Sequence, residues 1–341
     1  MSTEPGASLS QRLRASSWSS RARRLVPLSR VLGAKVRRFA WALALLVALL
    51  VCLLPVVGVS AYYIFVSTVV FLYIPLAIGQ NLVTGNTGVL SMGQAALYGV
   101  GAYVTAILST RYGVSAPLAL VAAVVAAGLA GVAIALTTVK VYGDYLFIVT
   151  LGVNLIFLDI VNQAPGAGGA AGIAGVPAPS LGPLRIMTPT AFFYFGFAAV
   201  VVCILLAVVI LRSRLGRAME AVRDDALVAG TLGLREMPIK VGVSGIAGAM
   251  AGLSGGVLAY FLTFVGPQDF TTTASLLIFE MVIIGGLGSL WGSVLGAVLL
   301  IAIPEVLRSV EAYSIGIGGA AIVVMMIFRP QGIMGARSIA R

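Results

Sequence analysis

The sequence has no histidine, only two cysteines, and charge on just 10% of its 341 residues. Without histidine the commonest proton shuttle and metal ligand is gone, and most zinc chemistry goes with it. Ser/His/Asp and Cys/His nucleophile arrangements cannot be built either. Cys52 and Cys203 each lie inside an apolar run and read as packed thiols, not as a disulfide. No G-x-x-x-x-G-K-[ST] phosphate loop is present, so any ATP hydrolysis belongs to a separate chain. No catalytic residue, metal ligand or bound cofactor is assigned. A soluble domain carries roughly 25% charged residues, so the charge present cannot clothe a water-exposed globular surface.

What is present instead is 60% apolar residues, gathered into long blocks. That pattern predicts an all-α polytopic membrane protein of about eight to ten transmembrane helices, some of them broken or re-entrant. The net charge of +11 is unevenly placed: residues 1–38 hold nine basic residues and one acid, leaving 13 basic and 10 acidic for the rest. The head 1–38 is read as a disordered cytoplasmic tail. As an anchor it fixes orientation by the positive-inside rule and meets anionic lipid. Its Arg- and Ser-rich, acid-poor composition also matches a transit peptide. No basic face on a folded domain points to nucleic acid.

The transmembrane domain is expected over 39–335, with a short cytoplasmic tail at 336–341. Apolar blocks run over Phe39–Val59, Ala61–Gly79, 95–108, Ala116–Thr138, Tyr145–Val161, Thr190–Leu211, Val241–Val265, 274–303 and Ser314–Phe328. Lys140 and Asp144 mark a short polar loop, and a Pro/Gly-rich loop spans 162–189. Counting from an inside head places the Pro/Gly loop, whose one charge is Arg185, outside and the charged loop 212–240 inside. The C-terminal arginines Arg329, Arg337 and Arg341 then also lie inside, and 304–313 lies outside. Residues 274–303 are too few for two full spans, which need about 40 residues. They are read as a re-entrant pair of half-helices hinged at Gly285, Gly286 and Gly288. One long tilted helix is the competing reading.

A second broken element is GQNLVTGNTGVLSMGQ (79–94), with four carboxamides in 15 residues. Polar, glycine-rich backbone at membrane depth marks a transport path; close packing through small residues is the competing account. The path residues read from it are Asn81, Thr84, Asn86, Ser91 and Gln94, with Tyr98 as an aromatic neighbour. Gly85-x-x-Gly88-x-Leu90 is echoed by Gly285-x-x-Gly288-x-Leu290, a hint of an internal repeat. Glu280, in LLIFEMVII, is the clearest intramembrane charge, serving either the path or the re-entrant loop. Asp159, with Asn162 on the same face, is read as reaching the interface. In 212–240, Arg217, Glu220, Arg223 and Asp224 recur at helical spacing and form one charged face. Ala218, Ala221, Val222, Ala226 and Val228 offer an apolar one. A solvated amphipathic loop is the alternative.

Three stretches carry a resemblance. They are GQNLVTGNTGVLSMGQAALYGVGAYVTAIL (79–108), LGRAMEAVRDDALVAGTLGL (215–234) with IKVGVSGIAGAMAGLSGGVLAY after it, and MVIIGGLGSLWGSVLGAVLL (281–300) with FRPQGIMG (328–335). In this order and spacing they resemble the permease subunits of branched-chain amino acid ABC importers, the LivH/LivM family, and LivM more closely. The resemblance implies an ABC importer permease fold in a bacterial plasma (inner) membrane. It implies a second, LivH-like permease, two LivG/LivF-like ATPase subunits and an extracytoplasmic amino-acid-binding protein. The loop 212–240 would couple to the ATPase, which alone uses ATP. An uncharged path would serve urea, short amides or other amino acids equally well. An ion-coupled secondary transporter would show buried charge pairs, and only Glu280 qualifies.

Overall fold

The structure, a computed structural model, describes residues 60–138, 141, 143–181, 184–185, 187–306 and 332–334. The basic head, the block Phe39–Val59 with Cys52, Lys140, the segment 307–313, the block Ser314–Phe328 and the arginines Arg329, Arg337 and Arg341 lie outside the described residues.

The apolar blocks fold as helices. α1 is Ala61–Gln80, α2 Gln94–Arg111, α3 Ala116–Thr138, α4 Asp144–Gln163 and α5 Pro189–Arg212. Two short helices follow, α6 Arg214–Asp224 and α7 Ala226–Thr231, and then α8 Glu236–Leu262, α9 Thr272–Gly285 and α10 Leu290–Val306. Five segments are long and apolar enough to cross a bilayer: Ala61–Asn86, Ala116–Thr138, Tyr145–Gln163, Pro189–Arg212 and Glu236–Leu262. With the shorter α2, α9 and α10, the described residues contain eight helices of 14 residues or more, an all-α polytopic membrane protein.

α8 is the central helix because its small residues let two neighbours approach backbone to backbone. A Cβ added at Gly248 would sit 2.4 Å from the Ala127 carbonyl of α3, and one at Gly255 would sit 2.1 Å from the Tyr98 carbonyl of α2. Small residues serve membrane helices in this way, since lipid supplies no hydrophobic drive to associate. α3 answers with a buried ridge of Ala119, Ala123, Ala127, Gly131 and Ala135 and leaves Leu118, Val121, Val125 and Leu129 exposed. Pro75 interrupts the α1 ladder, and Ser254 Oγ of α8 donates to the carbonyl of Leu72 one turn earlier.

The Pro/Gly-rich loop after α4 is tied down where Ile173–Ala174 (β1) pairs antiparallel with Phe264–Val265 (β4), beyond the end of α8. A second two-residue pair, Ser180–Leu181 (β2) with Leu184–Arg185 (β3), closes the same loop. The 274–303 block is a helical hairpin, not one tilted helix. Gly285 approaches Gly292 while Met281 approaches Gly296, so α9 and α10 run antiparallel. At 14 and 17 residues they reach about 21 and 26 Å, short of the ~30 Å hydrocarbon core.

Candidate functional site

The polar stretch after α1 does not end the helix. Asn81–Asn86 continues it for six residues as a π-helix, all of them buried. π segments are rare and cluster at functional positions. The unpaired groups of such a broken helix need partners when water is excluded, and polar side chains tie the segment to itself and to its neighbours. Gln80 Nε2 donates to Thr84 Oγ1 at 2.8 Å and to the Ser91 carbonyl at 2.6 Å. Thr87 Oγ1 donates to the Val83 carbonyl. Gln94 Nε2 reaches the Ala247 carbonyl of α8 at 3.3 Å, and Ser275 Oγ of α9 accepts from the Ala95 amide at 3.3 Å. Asn86 is buried with its Oδ1 unpartnered among the described residues.

The two glycine-rich breaks meet each other. Asn81 Oδ1 accepts the amide of Gly288 at 2.8 Å, and a Cβ on Gly85 would lie 2.4 Å from the Gly288 nitrogen. Gly286 and Gly288 turn the α9–α10 connection with φ of 110° and 80°, a region open to glycine at little cost. The echoing Gly-x-x-Gly-x-Leu segments are thus in direct contact. Two further pieces of chain close on them. Arg223, in the last turn of α6, donates from Nη1 to the Gly85 carbonyl, and its Cγ would lie 3.4 Å from a Cβ on Gly88. From the C-terminal segment, the Ile333 and Met334 amides donate to the Ile284 and Gly285 carbonyls, each at 2.9 Å.

Beside this node lies a cavity of ≈ 50 Å³ bordered by Ser91, Gln94, Thr138, Thr150, Lys240 and Ser244. A water needs about 10–15 Å³ of such space, so the cavity has room for a few waters. Tyr98 stands apart from the polar group, its ring packed edge-on against Phe270 at 5.2 Å in the aromatic core. Glu280 is half-buried on α9 with no hydrogen bond or ion pair among the described residues. Asp159 is exposed toward the C-terminal end of α4. Asp269, in the turn between α8 and α9, accepts from the Gly266 amide at 3.2 Å. Burial raises its carboxyl above the usual carboxylate range, opposed by that hydrogen bond.

In the 212–240 loop, Ser213 caps α6, accepting from Leu215 N at 3.1 Å. Asp225 caps α7, accepting from Leu227 N at 2.9 Å. Arg217, Glu220, Arg223 and Asp224 are all exposed, and Arg223 also reaches the node through Nη1. Of the residues read as the apolar face, Val222 is buried and Val228 is exposed. Met219 and Val222 pack into the bundle, since an amphipathic helix lying on a membrane domain buries its apolar side there. The exposed apolar surface is on and after α7: Leu227 is 86% exposed, Val228 55% and Leu232 76%.

A family model described as the branched-chain amino acid transport system permease component matches residues 62–329. The chain belongs to that family. This permease is 33% identical over 293 residues to the high-affinity branched-chain amino acid transport system permease protein LivM of Escherichia coli, covering 79% of this chain and 69% of the relative. It is 25% identical over 288 residues to the corresponding protein BraD of Pseudomonas aeruginosa, covering 79% and 93%. To LivH of Escherichia coli it is 28% identical over 139 residues, covering 40% and 44%. No solved structure matches the permease significantly.

Sequence reasoning missed Gln80 as the organiser of the π segment, Leu227 and Leu232 as the exposed tip, and Ile333 and Met334 as partners of the α9–α10 turn. Only the first had a visible signal, a buried-run carboxamide four residues before a threonine.

Proposed function

We propose that this permease is the membrane subunit of an ATP-driven importer for leucine, isoleucine and valine. The names of its relatives, permeases of high-affinity branched-chain amino acid transport systems, support the solute class. The observation that carries the ATP-driven part is the α6–α7 element. It reaches the π segment through Arg223 and presents Leu227, Val228 and Leu232 to solvent, with Arg217, Glu220 and Asp224 exposed on the same element. Exposed apolar anchors with charged residues nearby in the chain are the composition of a docking surface. A separate ATPase takes that tip, and its face of the membrane is the cytoplasm, where both termini also lie.

The node is the inner gate of the path. Asn81, Thr84, Asn86, Ser91 and Gln94 hold it, and the few-water cavity beside it is its closed state. A second, LivH-like permease completes the path around Glu280, a carboxylate that membrane depth tolerates only with water or a partner. Two ATPase subunits and an extracytoplasmic amino-acid-binding protein complete the importer.

The test is affinity purification from the native membrane followed by reconstitution in liposomes. The expected result is a co-purifying ATPase and second permease, with ATP-dependent leucine uptake that isoleucine and valine inhibit and urea does not. Uptake driven by an ion gradient without ATP, and no ATPase in the preparation, would sink the proposal.

A further inference from the structure

The charge pattern of α6 groups Arg223 with residues that face an outside partner, yet its guanidinium does something else. Nη1 donates to the Gly85 carbonyl, one of the unpaired acceptors at the end of the α1 π segment. That end carries the negative pole of the α1 dipole. A fixed cation there is a helix cap, made by a residue 138 positions away in sequence. The same Nη1 would lie 2.8 Å from a Cβ on Gly288, and Gly288 in turn donates to Asn81 Oδ1 at 2.8 Å. One side chain of α6 therefore touches both halves of the echoing glycine pair, at the point where they touch each other.

We propose that Arg223 is the positioning residue that carries displacement of α6 to the two membrane hinges, locking the π end of α1 and the α9–α10 turn as one latch. This rests on the reading of α6–α7 as the ATPase contact. Arg223 is exposed on α6 and its guanidinium has five N–H donors; the one aimed at Gly85 is the coupling contact. The contact couples because it is charged. Gly85, Gly88 and Gly288 bring no side chain of their own to the meeting point, where Asn81 is the other side-chain brace, so moving α6 moves the carbonyl that Arg223 holds. A charge-assisted hydrogen bond is directional and transmits this where loose apolar packing would slip.

The test uses the reconstituted importer and three readouts: ATPase co-purification, ATP hydrolysis and leucine uptake. For Arg223→Ala, the ATPase still co-purifies and ATP is still hydrolysed, while uptake per ATP falls about tenfold or more, the population shift that losing one charged hydrogen bond produces. Arg223→Lys keeps a cationic donor and restores part of the uptake. Gly288→Ala places a methyl against Nη1 and lowers uptake per ATP in the same way. The double variant R223A/G288A is no worse than the worse single one, because both break the same latch. Full uptake in R223A overturns the proposal. So does loss of ATPase co-purification, which would make Arg223 a docking residue. Failure of both R223A and R223K to fold would overturn it too, since the contact would then serve folding alone. If the wild-type importer shows no ATPase and no ATP-driven uptake, the reading of α6–α7 has failed, and the variants are not needed to see it.

Discussion

Gln80 carries two bonds with one amide group, to Thr84 Oγ1 and to the Ser91 carbonyl, and so holds the π segment against the strand of chain that returns from it. Gln80→Ala leaves a buried hydroxyl and a carbonyl short of a donor, which costs about 1–3 kcal/mol. Thermal unfolding of the purified permease in detergent is expected to show a lower midpoint, with less effect from Gln80→Glu at acidic pH, where a carboxylic acid can donate. Asp269 gives a pH signature of its own. Its folded-state carboxyl holds a proton more tightly than an exposed one, with burial the leading cause. Stability is therefore lost as pH rises through the carboxylate range, not gained. Asp269→Asn is expected to be the more stable form at neutral pH, and its advantage to vanish on acidification. Equal midpoints across the range would refute this. Arg223 shows where the sequence stops informing. Its spacing from Arg217 and Glu220 fixes its angle on the helix, but not that a bare glycine carbonyl lies within reach of it.

Helices were largely legible from the runs that compose them. Ala116–Thr138 has the bounds expected of it, and α1, α4, α5 and α8 differ from expectation by a few residues at their ends. The missed element is the π segment, because an extra residue per turn alters no composition and Asn81–Asn86 reads as a polar break. The hairpin at Gly285–Gly288 was legible because length alone excludes two full spans and glycine alone tolerates the turn. Packing of α8 is the firmest prediction at this scale. Gly248→Val would drive a side chain into the α3 backbone at Ala127, and overpacking of this kind costs roughly 1–3 kcal/mol or more. Lower thermal stability with unchanged membrane insertion is the expected result. For α7, Leu227→Asp together with Leu232→Asp is expected to leave the permease folded and remove the co-purifying ATPase; unchanged ATPase yield would place the docking surface elsewhere.

Across the whole molecule, two glycine-rich breaks with the same signature meet each other and share one brace from α6. The resemblance to a family gave the function class. It did not give this juxtaposition, which depends on contacts 138 and 207 residues apart in sequence. The C-terminal segment adds a consequence in time. The Ile284 and Gly285 carbonyls receive their donors from Ile333 and Met334, which the ribosome adds about fifty residues later, roughly 3–10 s at ordinary elongation rates. Once α10 is complete at Val306, about half of that interval remains, and the α9–α10 turn still lacks those donors. Assembly of the hinge is therefore a late event in biosynthesis, and a nascent chain stalled before Gly332 carries every helix of the node yet lacks the strap that closes it.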